Sequence, residues 1–375
     1  MPDKKLKNPM MYMMLILTFI AMAAVLKLTS AFSLPIILAV LLSFVFYPIC
    51  KKINRCHIPW LFCILITFLF SAFLIFGIGN LLYNTIKSII NVYPRYEQRF
   101  NDLYQLFCDT FKIHYDQEAD LFTNLWNSLN VRTAVQNYAI SLSANLVSFV
   151  KEFGLVLFFM LFLLIEFNDM KPKITMAFSD KTELQGKIKS IASTTVKEVT
   201  HYISIKFLVS LLTGILVFLV TLFAGLDFPV IWGATAFILN FIPTFGSIIS
   251  WAATTVFALL QFYPSWGKFI FIAVSVLAIN FILGNIIEPR WEGSDLGLSP
   301  FVILVSLSFW GWMWGFIGMI LAVPMTVILK IIFENTTVLK PVAILLGHSG
   351  KKNSDQSTTG QEISKQKPLD QNSSV

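Results

Sequence analysis

The chain has 375 residues, of which 56% are hydrophobic and 13% charged, about half the charged share of an average soluble domain. Its mean hydropathy of +0.72 excludes a pair of ordinary soluble domains, because so apolar a surface could not be covered in water; the chain is an integral membrane protein. The 28 basic and 21 acidic residues leave a net charge of +7, but the excess lies beside apolar runs, as on the cytoplasmic flanks of membrane helices, so no nucleic-acid partner is expected.

A helix needs about 20 apolar residues to cross a hydrocarbon core of ~30 Å. The first such run, Met10 to Leu26, follows Lys4, Lys5 and Lys7. Another run follows almost at once, which favours an uncleaved first helix over a signal peptide. The second run is Ala31 to Cys50 and the third Ile58 to Ile86. A fourth span is expected within Leu146 to Phe167, carrying Glu152 and Glu166, and a fifth over Phe207 to Leu226. Lys206 opens that fifth span and reads as a side chain snorkelling to the interface.

Two longer runs come next. Phe228 to Gly267 has 40 residues without a charge and Leu296 to Leu329 has 34. Each is too long for one crossing, and each is interrupted near its middle: Pro243 and Gly246 in the first, Gly311, Gly315 and Gly318 in the second, with Pro324 further on. Proline removes a helical N–H and glycine favours turns, so both runs read as helical hairpins. A sixth span, Phe269 to Ile287, separates them. Broken apolar segments in corresponding positions point to a transporter core; two ordinary helix pairs with tight turns are the plainer alternative.

The predicted fold class is therefore an all-α polytopic membrane protein: about six full spans plus two helical hairpins, some eight membrane segments in all. The expected units are an N-terminal three-span region (1–86), an external α-helical insert (87–145), the fourth span (146–167), a cytoplasmic amphipathic linker (168–203), a core with two hairpins (204–335) and a tail (336–375) without order from about 349. Loop charges set the orientation. Lys51 to His57 carries three basic residues and no acid, which suits the inside; Lys87 to Asn137 carries five basic and six acidic, which suits the outside. Both termini are then cytoplasmic. In the insert, Phe100, Leu103, Tyr104, Phe107 and Phe111 share a helical face; in the linker, Ile188, Ile191, Thr195, Val199 and Tyr202 do. Lys187, Lys189 and Lys197 on the linker's polar face could meet lipid headgroups.

The chemistry of enzymes is missing from the sequence. It has no P-loop and no H-E-x-x-H word, its four histidines are scattered and its four cysteines form no C-x-x-C, so neither a catalytic role nor a cofactor or metal is expected. What remains is polar residues where burial is costly. Asn280, Asn285, Glu288 and Arg290 form the first group, with Pro289 expected to end the helix and free its last carbonyls. They could hold a cation or solute hydroxyls, or Glu288 and Arg290 could simply pair to fix a loop. Asn240, Pro243, Thr244, Gly246 and Ser247 form the second. There Asn240 is the better ligand candidate, while capping a helix end is the simpler role for Ser247.

Three words of the sequence carry a family resemblance: KFLVSLLTGILVFLVTLFAGLDFPVIWG (Lys206 to Gly233), LNFIPTFGSIIS (Leu239 to Ser250) and the stretch from GNIIEPRW to MILAVP (Gly284 to Pro324). In order and spacing they resemble the autoinducer-2 exporter-like, or PerM-like, transporter family. The resemblance implies a bacterial cytoplasmic-membrane carrier, homo-oligomeric, that exports small organic solutes such as autoinducer-2. Some members of that family are instead sodium/proton antiporters.

The expectation is a secondary transporter working by alternating access, with lipid bilayer and a small organic solute as partners and sodium or a proton as coupling ion. Asn240, Asn280, Asn285, Glu288, Arg290 and Thr244 would contact solute or ion. The hinge and hairpin positions would be Pro243, Gly246, Pro289, Gly311, Gly315, Gly318 and Pro324. Sodium/proton antiport is one alternative, and a non-transporting membrane scaffold or sensor is another.

Overall fold

In hydrocarbon a backbone must satisfy its own hydrogen bonds, and a helix does so within a single segment. The computed structural model describes residues 9–73, most of 75–88, Arg99, 131–177, 182–292, 297–336 and 339–347. The uncharged runs in that range are helical. In order come α1 (Pro9–Leu28), α2 (Ser30–Asn54), α3 (Trp60–Thr85), α4 (Val131–Ala177), α5 (Thr182–Ala224), α6 (Pro229–Leu239), α7 (Phe245–Phe262), α8 (Trp266–Ile282), α9 (Glu288–Glu292), α10 (Pro300–Glu334) and α11 (Lys340–Leu346). A π turn, Leu283–Ile287, joins α8 to α9. Among the described residues the β contacts amount to one isolated bridge, Leu298 to Gly347.

Among the described residues seven helical stretches are long and apolar enough to cross a membrane: α2, α3, Val147–Phe167 within α4, most of α5, α7, α8 continued through α9, and α10. The protein is thus all-α and polytopic. Two of its helices outrun a bilayer. The 47 residues of α4 extend about 70 Å, against a core of ~30 Å, so the fourth span continues without a break into residues 131–145. Likewise α5 unites the amphipathic linker and the fifth span. Its linker stripe packs inward as the spacing predicts, with Thr195, Val199 and Tyr202 buried and Ile188 and Ile191 partly so. The stripe beginning at Phe100 and the tail from Ser349 lie outside the described residues.

Packing among the described residues divides into three clusters. Ala39, Cys50, Cys63, Ile64, Val156, Met160 and Leu164 knit α2, α3 and α4 together, and Trp60 Nε1 donates to the Leu164 carbonyl at 3.3 Å. Cys50, Cys56 and Cys63 are free thiols, and the two buried ones serve that packing. A second cluster centres on α10, where Trp310, Met313, Trp314, Leu321, Val323 and Val327 meet Val199 and Tyr202 of α5 and Ala23 of α1. The third joins the end of α5 to α6, α7 and α8 through Val217, Ala236, Ala258, Phe262, Ile272 and Val276.

Both expected hairpins form. In the first, α6 begins with Pro229 behind Phe228, whose φ of 59° turns the chain; Gln261 closes the open end by accepting from the Asp227 N–H at 2.7 Å and donating to the Gly225 carbonyl at 2.9 Å. The tip is a tight turn, with the Phe245 N–H bonded to the Pro243 carbonyl at 2.7 Å around Thr244 at φ 65°, ψ −57°, the strained form of the γ-turn. The second hairpin is α10 itself. Its two arms, 300–313 and 316–334, meet at Trp314 and Gly315, where φ of −127° and 62° break the helix. Ser306 on one arm bonds to the Ala322 carbonyl at 3.2 Å and to the Thr326 hydroxyl on the other. Pro324 is buried within the second arm.

Glycine sets the contact of α5 with α6. A Cβ on Gly214 would stand 2.9 Å from the Gly233 carbonyl, and one on Gly233 would stand 2.9 Å from the Gly214 carbonyl. The two backbones therefore touch there, the close approach that small residues allow between membrane helices.

Pro289 departs from expectation, for it does not end the helix. The chain widens into the π turn before it and continues helically to Glu292. The extra residue in the turn relieves the clash of a proline ring with the carbonyl four residues back.

Candidate transport site

The buried stripe of α5 does not stop at Tyr202. At the same three- and four-residue spacing it continues through Lys206, Ser210, Thr213, Val217 and Thr221, all buried. Thr213 and Thr221 donate back to carbonyls of their own helix. Ser210 and Lys206 reach outward, and they carry the site.

From Ser210 on α5 a chain of hydrogen bonds runs on through three further helices. Asn240, at the end of α6, donates from Nδ2 to Ser210 Oγ at 3.0 Å. Ser247, in the first turn of α7, donates from Oγ to Asn240 Oδ1 at 3.3 Å. Asn280, on α8, donates from Nδ2 to the Ser247 carbonyl at 3.1 Å. Asn240 and Asn280 are both buried. Beside this chain Asn280 Oδ1 and Ser250 Oγ are buried without a hydrogen-bond partner. Leaving such an atom unmatched costs about 1–3 kcal/mol, so such groups are few in native proteins; Thr255 Oγ1, further along α7, is another. Ser250 lies one turn beyond Ser247 on α7, so Ser250 Oγ and Asn280 Oδ1 flank the same stretch of the α7–α8 seam.

A buried ion pair stands one turn from Ser210. Lys206 Nζ donates to Glu288 Oε1 at 2.5 Å, with side chains only 6% and 14% exposed. Lys206 therefore does not snorkel: it continues the inward stripe, and a buried ammonium needs a carboxylate. Nor is Arg290 the partner of Glu288, for Arg290 is exposed.

The structure thus gathers Asn240, Asn280 and Glu288 around α5 but separates them from Asn285. That side chain is exposed and donates to the carbonyl of Phe281 in its own helix at 3.3 Å, because the π turn rotates it off the face that holds Asn280. Thr244 is exposed at the strained tip. Ser247 caps nothing: the cap position of α7 is Thr244, without a side-chain bond, and Ser247 instead links two amides. Among the described residues the second hairpin adds no hydrogen bond to this chain, and no group of three metal-binding side chains occurs. Sequence reasoning misses Lys206, Ser210 and Ser250 as site residues. The signal for the first two is their spacing, in register with the linker stripe.

The arrangement offers amide and hydroxyl groups inside a membrane core, next to a compensated pair of charges. Such groups can exchange hydrogen bonds with a polar solute.

The family model described as AI-2E family transporter matches residues 15–338, most of the chain. A Haemophilus influenzae protein with a provisional transport-protein name is 30% identical over 86% of this chain and 91% of its own. A similarly named protein of Borreliella burgdorferi is 29% identical over 86% of each chain. The AI-2 transport protein TqsA of Escherichia coli is 27% identical over 85% of this chain and 90% of its own.

Proposed function

Because the chain belongs to the AI-2E transporter family, and is thus a multi-pass membrane transporter of a bacterial family rather than an enzyme, we propose that it is a secondary carrier exporting small polar organic solutes, autoinducer-2 among them, by alternating access. The observation that carries this reading is the chain from Ser210 through Asn240 and Ser247 to Asn280, with two orphaned polar atoms beside it. A solute passing that seam would take up the bonds those atoms lack. Asn240 and Asn280 are the solute-contacting residues, and Glu288 is the ionisable group that couples transport to a sodium or proton gradient. The naming of TqsA as an AI-2 transport protein supports autoinducer-2 as the first probe. The carrier works as a homo-oligomer in the cytoplasmic membrane, with both termini inside the cell.

A second reading, sodium/proton antiport, draws on the buried Lys206–Glu288 pair, since a carboxylate there could trade its partner for a cation. Purified protein in liposomes loaded with autoinducer-2 separates the two. Protein-dependent efflux, lost in Asn240→Ala and Glu288→Gln, is the result expected of an exporter. Normal efflux by both variants would remove the site, and sodium-driven proton movement without efflux would favour antiport.

A further inference from the structure

Glu288 sits where one helix changes its winding, and the side chain that holds it belongs to another helix. The π turn Leu283–Ile287 closes with the Glu288 N–H bonded to the Leu283 carbonyl. Returning that turn to α geometry would absorb one residue and rotate α9 by roughly 100° about the helix axis. The carboxylate would then swing away from α5. Lys206 opposes that movement with a buried bond of 2.5 Å.

The two halves of the pair are anchored unequally. Lys206 lies between Tyr202 and Ser210 on a buried stripe, in a helix fixed to α6 by the Gly214–Gly233 backbone contact. Glu288 begins a helix of five residues in which Pro289, Arg290 and Trp291 are exposed. Among the described residues the ionisable groups near the pair include Tyr202 on α5, Arg290 and Glu292 on α9, and His201, whose Nε2 lies 3.3 Å from the Glu292 carbonyl oxygen. A pair that served stability alone would gain little from being charged, since buried ion pairs are commonly replaceable by apolar or neutral groups at no cost.

We infer that Lys206 is a positioning residue of the carrier, acting through Glu288: the ion pair is a latch that holds the π turn in its wide form, and it opens and closes in the transport cycle. Its place in the cycle rests on the carrier reading; the latch itself can be measured without any solute.

The test compares wild type, Lys206→Met, Glu288→Gln and the double variant by thermal melting and by amide hydrogen exchange over residues 283–292. Each single change leaves one buried group without its partner and should lower Tm by roughly 5–10 °C, while the double variant should melt near wild type. In that double variant exchange over 283–292 should rise about tenfold, and in Lys206→Met, which keeps Glu288, autoinducer-2 efflux from liposomes should fall at least about tenfold. Wild-type exchange in the double variant would overturn the latch and leave the pair a purely structural one. Should the double variant not fold, Lys206→Arg decides: its retained charge should keep exchange within about threefold of wild type, and exchange as fast as that of Lys206→Met would overturn the proposal. Absence of efflux by the wild type would count against autoinducer-2 as substrate, not against the latch, because exchange is read in its absence.

Discussion

The tip of the first hairpin is flanked by Asn240, which donates to Ser210 of α5, and by Ser247, which donates to Asn240 and accepts from Asn280 of α8. The tip of the second is flanked by Trp310 and Trp314, and its contacts go to α1. Trp314 Nε1 donates to the Leu26 carbonyl at 3.5 Å, Lys27 Nζ stands 3.5 Å from the centre of the Trp312 ring, and Phe309 stacks on Phe19. The turns themselves are built alike, each around a glycine pressed against the opposite arm. A similar backbone device thus presents amides and hydroxyls at one tip and indoles at the other. On the proposed reading transport chemistry belongs to the first, and the contacts of the second make it a brace tying the N-terminal helix to the core.

The largest effect is expected where the two hairpins are most alike. A Cβ on Gly246 would stand 1.7 Å from the Leu239 carbonyl, and one on Gly318 would stand 1.9 Å from the Trp310 carbonyl. Backbone cannot swing aside, so Gly246→Ala and Gly318→Ala should each cost roughly 3 kcal/mol, seen as lower melting temperatures in detergent. Wild-type melting in either would mean that its arms are not in contact.

The next effect should separate the tips. Asn240→Ala removes two bonds of the polar chain and should cut autoinducer-2 efflux at least about tenfold. Trp314→Phe, which deletes the indole N–H at the other tip, should leave efflux within about twofold. Equal losses in the two variants would erase the distinction between site and brace. Smaller again, Lys27→Met should lower stability by about 1 kcal/mol through the lost cation–π contact, with efflux unchanged. Smallest is Thr326→Val, expected to cost less than about 1 kcal/mol because Ser306 keeps the Ala322 carbonyl; melting measurements on both variants check these values.

Much of this organisation is legible in the sequence. Run length without charge predicts both hairpins, and the breakers Pro243 and Gly315 mark their tips, because an uncharged stretch twice as long as a crossing must fold back. Asn240 is legible too, as an amide just before a break. Lys206 is readable only if the amphipathic stripe is followed past Tyr202 into the apolar span, where a single charge invites a snorkelling role instead. Asn285 misleads for a different reason. Its apparent register with Asn280 assumes α winding, and the π turn that displaces it arises from Pro289 and the pair formed by Glu288 with a residue on another helix. No local pattern announces a pairing between helices so distant in sequence.

The Gly214–Gly233 contact has a mechanical meaning. Where two helices meet backbone to backbone, with only the Cβ atoms of Phe218 and Phe237 alongside, there is little cushion to compress and no long rotamer to absorb a displacement. Tilting α5 by its long linker end must carry α6 with it, and with α6 the amide of Asn240 at its far end. The linker and the first hairpin are in effect one rigid lever with its fulcrum at a pair of glycines, so a force applied to residues 182–203 would be felt at the polar tip.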